Sequence, residues 1–383
     1  MKRDALKKGK IEMKYIVPET EHGVVYRNVE NTLFKYNGWP TVTKDDRGVL
    51  YVTASSMRLT HGDPTGKNCM FVSFNEGKTW TRPIVLNDSK FDDRDTGICY
   101  IGNGKMVMSW FTEMPEDYYD GMQDQDWYHP EDKAITLGFG NMLKALPKEE
   151  IKDGIGAFVK TSSDYGVTWS DPIRVPLTSP HGPSVCSDGT LVFMGKEMKG
   201  EYVAPTPIVV YTSRDDGKTW EYTGTVPVGD DCTVDMMHEP HVIELPNGRL
   251  IGAIRVHGRS TEPNHSVYTT FSDDRGKTWT KPVCIGTDGM PPHLMVHSSG
   301  AVLCAYGCRT DGKWAERVAV SYDNGETWSE DYCLDDNFGR QKDLGYPSSV
   351  ELSDGSILTV YYQALPTDDH TSLLYTKWRL NNR

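Results

Sequence analysis

The stretch SDDRGKTW, residues 272–279, decides the fold because it does not stand alone. The frame S-x-x-x-G-x-T-W recurs as SFNEGKTW (73–80), SSDYGVTW (162–169), SRDDGKTW (213–220) and SYDNGETW (321–328). Its third position is Asn75, Asp164, Asp215, Asp274 or Asp323. Each fixed residue has a local physical purpose. The Asp or Asn side chain accepts backbone N–H bonds within its own loop. Gly supplies a position with positive φ. Trp buries a large ring between neighbouring sheets. The frame therefore reads as a structural staple and carries no chemistry of its own.

Outward from these boxes, a second repeat runs in step. It is a short apolar strand, a tight turn with Gly, then another apolar strand. The copies are 39–54, 96–111, 182–195, 240–255, 292–307 and 347–362. Their turn glycines, 48, 104, 189, 248, 300 and 355, lie 56, 85, 59, 52 and 55 residues apart. Each copy reads as an inner hairpin. Six regularly spaced four-stranded units predict an all-β, six-bladed β-propeller occupying residues 1–383 as one domain. The sixth unit has no box, and its tail, SLLYTKWRL (372–380), makes only a third strand. An N-terminal strand around GVVYRN (23–28) is expected to close that blade. The 85-residue gap marks an insertion at 114–154 in the second blade, either a lid over the axis or an oligomer contact. Its second half, NMLKALPKEEIKDG, has helical character broken at Pro147.

Composition narrows the function class. The 383 residues hold 41 Lys+Arg against 54 Asp+Glu, a formal charge of −13. That balance argues against nucleic-acid or membrane-surface partners, which favour a basic face. No run approaches the ~20 apolar residues of a membrane span, and no secretory signal is seen, so a cytoplasmic location is expected. The eight cysteines are scattered without a CxxC pair, which points to reduced core thiols and away from zinc or redox chemistry. No metal and no cofactor are expected.

In a propeller, residues just before each inner strand and just after each second strand converge on one face. The first group includes Trp39, Arg94, Asp95, His181, His238, Glu239, His293, Asp343 and Tyr346. The second includes Arg58, Asp63, Glu113, Lys196, Glu197, Arg255, Arg309 and Gln363. Such a density of titratable groups around an axis is the signature of a small-molecule site.

The boxes resemble the Asp boxes of the sialidase (neuraminidase) superfamily, and the resemblance covers nearly the whole chain. Segment 237–255, MHEPHVIELPNGRLIGAIR, is similar to the part of that family carrying a glutamate before an inner strand and an arginine after its partner. Those are Glu239 and Arg255. Segment 344–363 is similar to the part carrying a tyrosine nucleophile, here Tyr346, and Arg309 matches a further arginine. The family's opening arginine is missing, since Gly38-Trp39-Pro40 stands there. The acid/base aspartate is matched loosely by Asp63.

The resemblance implies an exo-acting glycoside hydrolase on an acidic sugar, with an oligosaccharide or glycoside as substrate. Tyr346 is the expected nucleophile and Glu239 its base. Asp63 or Asp95 is the expected acid. Arg58, Arg94, Arg255 and Arg309 form an expected cationic floor, with His181, His238, His293 and Gln363 as further substrate contacts. Two alternatives stay open: a histidine-dependent lyase or hydrolase of uronate-containing glycans, and a non-catalytic carbohydrate-binding propeller.

Overall fold

The computed structural model describes residues 13–29, 33–113, 130–198, 206–258, 264–337 and 342–381. Six antiparallel blades stand in a ring. The first comprises Tyr36–Lys44, Leu50–Arg58, Lys67–Ser73 and Ile84–Asn87. The second comprises Asp93–Gly102, Lys105–Thr112, Gly156–Ser162 and Ile173–Val175. The third has an inner strand reduced to Ser184–Val185, followed by Leu191–Glu197, Ile208–Ser213 and Glu221–Thr225. Met237–Glu244, Leu250–His257, His265–Ser272 and Val283–Cys284 make the fourth. His293–Val296, Val302–Cys308, Ala315–Ser321 and Glu330–Asp335 make the fifth. The sixth is Gly345–Glu351, Ile357–Ala364 and Thr371–Trp378, completed by the N-terminal Thr20–Tyr26. A strand the sequence did not announce, Lys14–Ile16, pairs parallel to Glu330–Asp335 on the rim of the fifth blade.

The core is not one mass but is divided among the gaps between the blades. One apolar cluster fills each gap between adjacent blades, from Val52 and Phe71 against Tyr362 and Val360 to Leu303 and Val320 against Ile357 and Trp378. Each blade is apolar on both faces, so the ring is the arrangement that leaves no face uncovered.

The boxes sit at the outer turns and act as read from the sequence. In the fourth blade, Asp274 Oδ1 accepts the Thr278 N–H at 2.9 Å and Oδ2 accepts the Thr278 hydroxyl at 2.7 Å. Ser272 Oγ receives the Gly276 N–H at 2.8 Å, and Trp279 Nε1 donates to Gly276 O at 2.9 Å. The box glycine has φ +88°. The residue before it is also left-handed in all five boxes: Glu76, Tyr165, Asp216, Arg275 and Asn324. Each box packs on the preceding blade. A Cβ on Gly217 would lie 2.7 Å from Val107 Cγ2, and one on Gly77 would lie 2.5 Å from Leu358 Cδ1 of the sixth blade.

Within the insertion, residues 114–129 lie outside the described part. Helix α1 (Pro130–Lys144) and helix α2 (Lys148–Gly154) follow, with Pro147 at the N-cap of α2. Leu143 and Ile155 pack with Phe91. Asp132 of α1 meets His370 in the sixth blade at 3.1 Å. The insertion thus stays packed beside the second blade through Phe91 and reaches the sixth blade through Asp132. No described helix is long and apolar enough to cross a membrane, and none of the eight cysteines is in a disulfide.

Candidate active site

Four inner strands begin with the same irregularity. The register of the inner pair slips at Gly38/Thr41, Arg94/Gly97, His238/His241 and Gly345/Ser348. In each bulge one non-glycine residue takes a left-handed backbone: Trp39 (φ 54°), Asp95 (49°), Glu239 (42°) and Tyr346 (50°). Such conformations cost about 1–3 kcal/mol each and gather where a bulge re-aims a side chain. Here the four aimed side chains meet. Tyr346 Oη donates to Glu239 Oε1 at 2.7 Å, and the Trp39 ring stands edge-on to Tyr346 at 6.4 Å. The repeated X-Pro at 39–40, 239–240 and 346–347 was the available signal for this bulge.

Arg255 ties the pair together. Its Nη1 donates to Glu239 Oε2 at 2.5 Å and to Tyr346 Oη at 3.3 Å. Burial pushes the Glu239 carboxyl up, but Arg255 and the Tyr346 hydroxyl outweigh it and hold Glu239 below its ordinary range. Burial and the Glu239 charge push the Tyr346 phenol well up. Asp95 stands apart. Burial, with Glu239 and Glu113 adding and Arg94 opposing, raises it to about 7. Its Oδ1 is buried without a hydrogen-bond partner. Asp95 and Glu239 face one cavity of about 360 Å³, together with Glu113, Lys196, Glu197 and His238.

A second network braces the tyrosine from behind. Asp343 accepts Tyr362 Oη at 2.8 Å, Tyr36 Oη at 2.7 Å and His61 Nδ1 at 3.0 Å. Burial would raise Asp343, but His61, Arg309 and the phenols hold it far below the usual carboxylate range. Arg309 donates to Leu344 O at 2.8 Å through Nε and to Tyr362 Oη at 3.1 Å, and its guanidinium lies 5.6 Å from the Tyr346 ring. His61, Tyr36 and Tyr362 were not among the residues expected from the sequence. They belong to the network only because the ring brings the first, fifth and sixth blades together.

Several expected contacts sit elsewhere. Asp63 is fully buried in its own loop, accepting Leu59 N–H at 2.5 Å and Thr65 N–H at 2.8 Å. It builds the loop between the second and third strands of the first blade and does not line the cavity. Arg58 is also fully buried. It forks onto Asp92, with one bond at 2.6 Å, and holds Ser55 Oγ and His61 O at 2.8 Å. Arg94 pairs with Glu113 at 2.7 Å and lies 4.4 Å from the Trp39 ring. Gln363 is buried between the fifth and sixth blades, where its Nε2 donates to Asp335 at 3.0 Å. The cationic floor is therefore reduced to Arg255 and Arg309 beside Tyr346.

Of the histidines, only His238 lines the cavity. His181, His241 and His293 close on one another, with ring centroids 4.5–5.7 Å apart. Burial lowers all three, His241 to about 3. Backbone N–H groups of Leu294 and Ser349 donate to Nδ1 of His241 and His293 at 2.9 and 3.3 Å. In the neutral rings Nε2 then carries the proton, the wrong tautomer for metal ligation through that nitrogen. Among the described residues no three His, Cys, Asp or Glu side chains are arranged to hold a metal.

Fold and site define a six-bladed, Asp-box propeller with a hydrogen-bonded tyrosine–glutamate pair whose glutamate lines the cavity. The model of the BNR repeat-like domain matches residues 145–360, and the chain belongs to that family, within the sialidase superfamily. A sialidase from Bacteroides fragilis is 25% identical over 226 residues, 52% of this chain and 39% of that protein. The match thus spans about two fifths of the relative's length. Among solved structures, a protein of unknown function from Dyadobacter fermentans superposes with TM-score 0.73 at 21% identity, over 95% of this chain and all of the other. Trypanosoma rangeli sialidase in complex with 2,3-difluorosialic acid superposes with TM-score 0.59 at 16% identity, over 95% and 59%. At these identities the structures show a shared fold.

Proposed function

We propose that the protein is a sialidase-like exo-glycoside hydrolase that cleaves an acidic sugar through a glycosyl–tyrosine intermediate. The observation that carries this reading is the 2.7 Å bond from Tyr346 Oη to Glu239 Oε1. A phenol is a poor nucleophile until a base takes its proton. Glu239, kept ionised by Arg255, accepts that proton as Oη attacks the anomeric carbon. Asp95 plays the opposite part. Two carboxyl groups whose environments push their pKa values apart divide into base and acid. Asp95, raised to about 7, protonates the leaving oxygen and then takes a proton from the water that releases the sugar.

The substrate class follows from charge. A neutral nucleophile spares an anionic sugar the repulsion that a second carboxylate would impose. Arg255 and Arg309 flank Tyr346 and suit a sugar carboxylate. Trp39, buried beneath Arg58 and Arg94, fills a place where the superfamily resemblance calls for another arginine. Burial takes His181 and His293 out of reach of substrate, so of the expected histidines only His238 could serve a lyase reading.

The test is covalent trapping. The T. rangeli structure is titled as a covalent intermediate with 2,3-difluorosialic acid. The same compound is expected to add one glycosyl unit to this protein, mapped to Tyr346 by mass spectrometry. Tyr346→Phe is expected to lose roughly 10³-fold or more in kcat while keeping its fold. No turnover across fluorogenic sialosides and uronides, together with no adduct, would remove the proposal.

A further inference from the structure

Away from the mouth, the seam between the fifth and sixth blades holds a buried polar group that the reaction does not use. Glu316, on strand Ala315–Ser321, is fully buried, and neither carboxyl oxygen has a hydrogen-bond partner. Its cross-strand neighbour is Asp335, so two carboxyl groups stand on adjacent strands. Asp335 Oδ2 already receives Tyr361 Oη at 2.8 Å and Gln363 Nε2 at 3.0 Å, and Oδ1 receives the Asn337 N–H at 3.0 Å. A carboxylate only accepts, so the Gln363 amide must turn its nitrogen to Asp335. Its carbonyl Oε1 is left buried and without a donor.

Three buried acceptor atoms beside one carboxylate have no donor reaching them, and a positive partner would satisfy all three at once. Arg309 is the nearby cation that acts on Glu316, but it donates to Leu344 O and Tyr362 Oη. The donor set is oxygen only: two carboxylates and an amide carbonyl. That chemistry favours a hard cation and disfavours zinc or copper. Asp335 keeps about 10% of its side chain exposed, which gives an ion a way in.

We infer that Glu316, Asp335 and the Gln363 carbonyl bind one calcium ion that pins the fifth blade to the sixth. The inference stands whether or not the protein is a glycosidase, because its test reads stability and stoichiometry. Protein stripped with EGTA is dialysed to equilibrium against calcium, and the melting temperature is followed with calcium, magnesium and sodium in turn. One calcium bound per chain is expected. So is a saturable rise on the order of 5 °C at a hundredfold excess over Kd, with much smaller shifts for magnesium and sodium. Glu316→Gln is expected to lose the calcium response while melting no lower than the stripped wild type. Wild type that binds no calcium, or a folded Glu316→Gln that keeps the full response, overturns the inference; Glu316 is then a protonated acid in a watered seam. If Glu316→Gln does not fold, Gln363→Leu takes its place, with at least a tenfold weaker calcium affinity expected and an unchanged affinity counting against the site.

Discussion

Glu239, Tyr346 and Asp95 are three residues with one backbone device between them. Each is held left-handed by a bulge; Glu239 and Asp95 line the cavity, and Tyr346 lies behind them, bonded to Glu239. Their protonation follows from neighbours at hydrogen-bond range. If Asp95 is the acid proposed above, it must carry its proton, so kcat/KM is expected to fall as pH rises through about 7, the value to which burial raises Asp95. Asp95→Asn should erase that limb. It should also lose far less rate on an aryl glycoside with a good leaving group than on a sugar–sugar bond, because such a group needs little protonation. An unchanged pH profile in Asp95→Asn would assign the acid to another residue. The sequence put Tyr346 and Glu239 at the start of inner strands, and the structure brings their side chains into contact. Asp63 turns into its own loop instead, because spacing along a loop does not say which way a carboxylate faces.

At the scale of elements, the boxes and the insertion make separate predictions. The box glycines combine positive φ with close contact to the preceding blade. Gly217→Ala is expected to cost about 1–3 kcal/mol, read as a lower urea midpoint, since its Cβ would strike Val107. Gly248→Ala shares the positive φ but meets nothing within 4 Å, so it should cost less. Helix α1 is pinned by His370, which is flanked by Asp132 at 3.1 Å and Asp369 at 2.9 Å. Burial opposes the charge on His370, but the two carboxylates prevail and raise its pKa. The ion pair therefore stabilises at low pH and is lost as pH rises through that raised value. Limited proteolysis between α1 and α2 is expected to speed up with rising pH in the wild type. In Asp132→Asn it should be fast throughout, and a pH-independent wild type would contradict the latch. Helical character after residue 141 was readable in the insertion; its contact with the sixth blade was not, because nothing local specifies a partner so distant in the chain.

For the whole molecule, the axial histidines set the acid limit. Burial depresses His181, His241 and His293 in the folded state, His241 to about 3. Unfolded histidines titrate near 6.5. Between those values the unfolded chain binds more protons, so stability is intact above about 6.5 and is lost as pH falls toward 3. His241→Asn is expected to be less stable at pH 8 and to show a shallower loss of melting temperature on acidification. A slope equal to that of the wild type would mean that other groups govern acid unfolding.

The ring itself was written in the sequence. Five boxes and six hairpins are local patterns, and glycine, aspartate and tryptophan impose their geometry within eight residues. Blade number, turn positions and the face on which functional residues gather follow from that periodicity. What only the tertiary structure decided is how side chains from different blades share one volume. Trp39 is roofed by arginines, Asp343 gathers groups from three blades, and Glu316 is stranded at a seam. Those outcomes depend on contacts between residues up to three hundred positions apart, where no local propensity acts and packing alone selects partners.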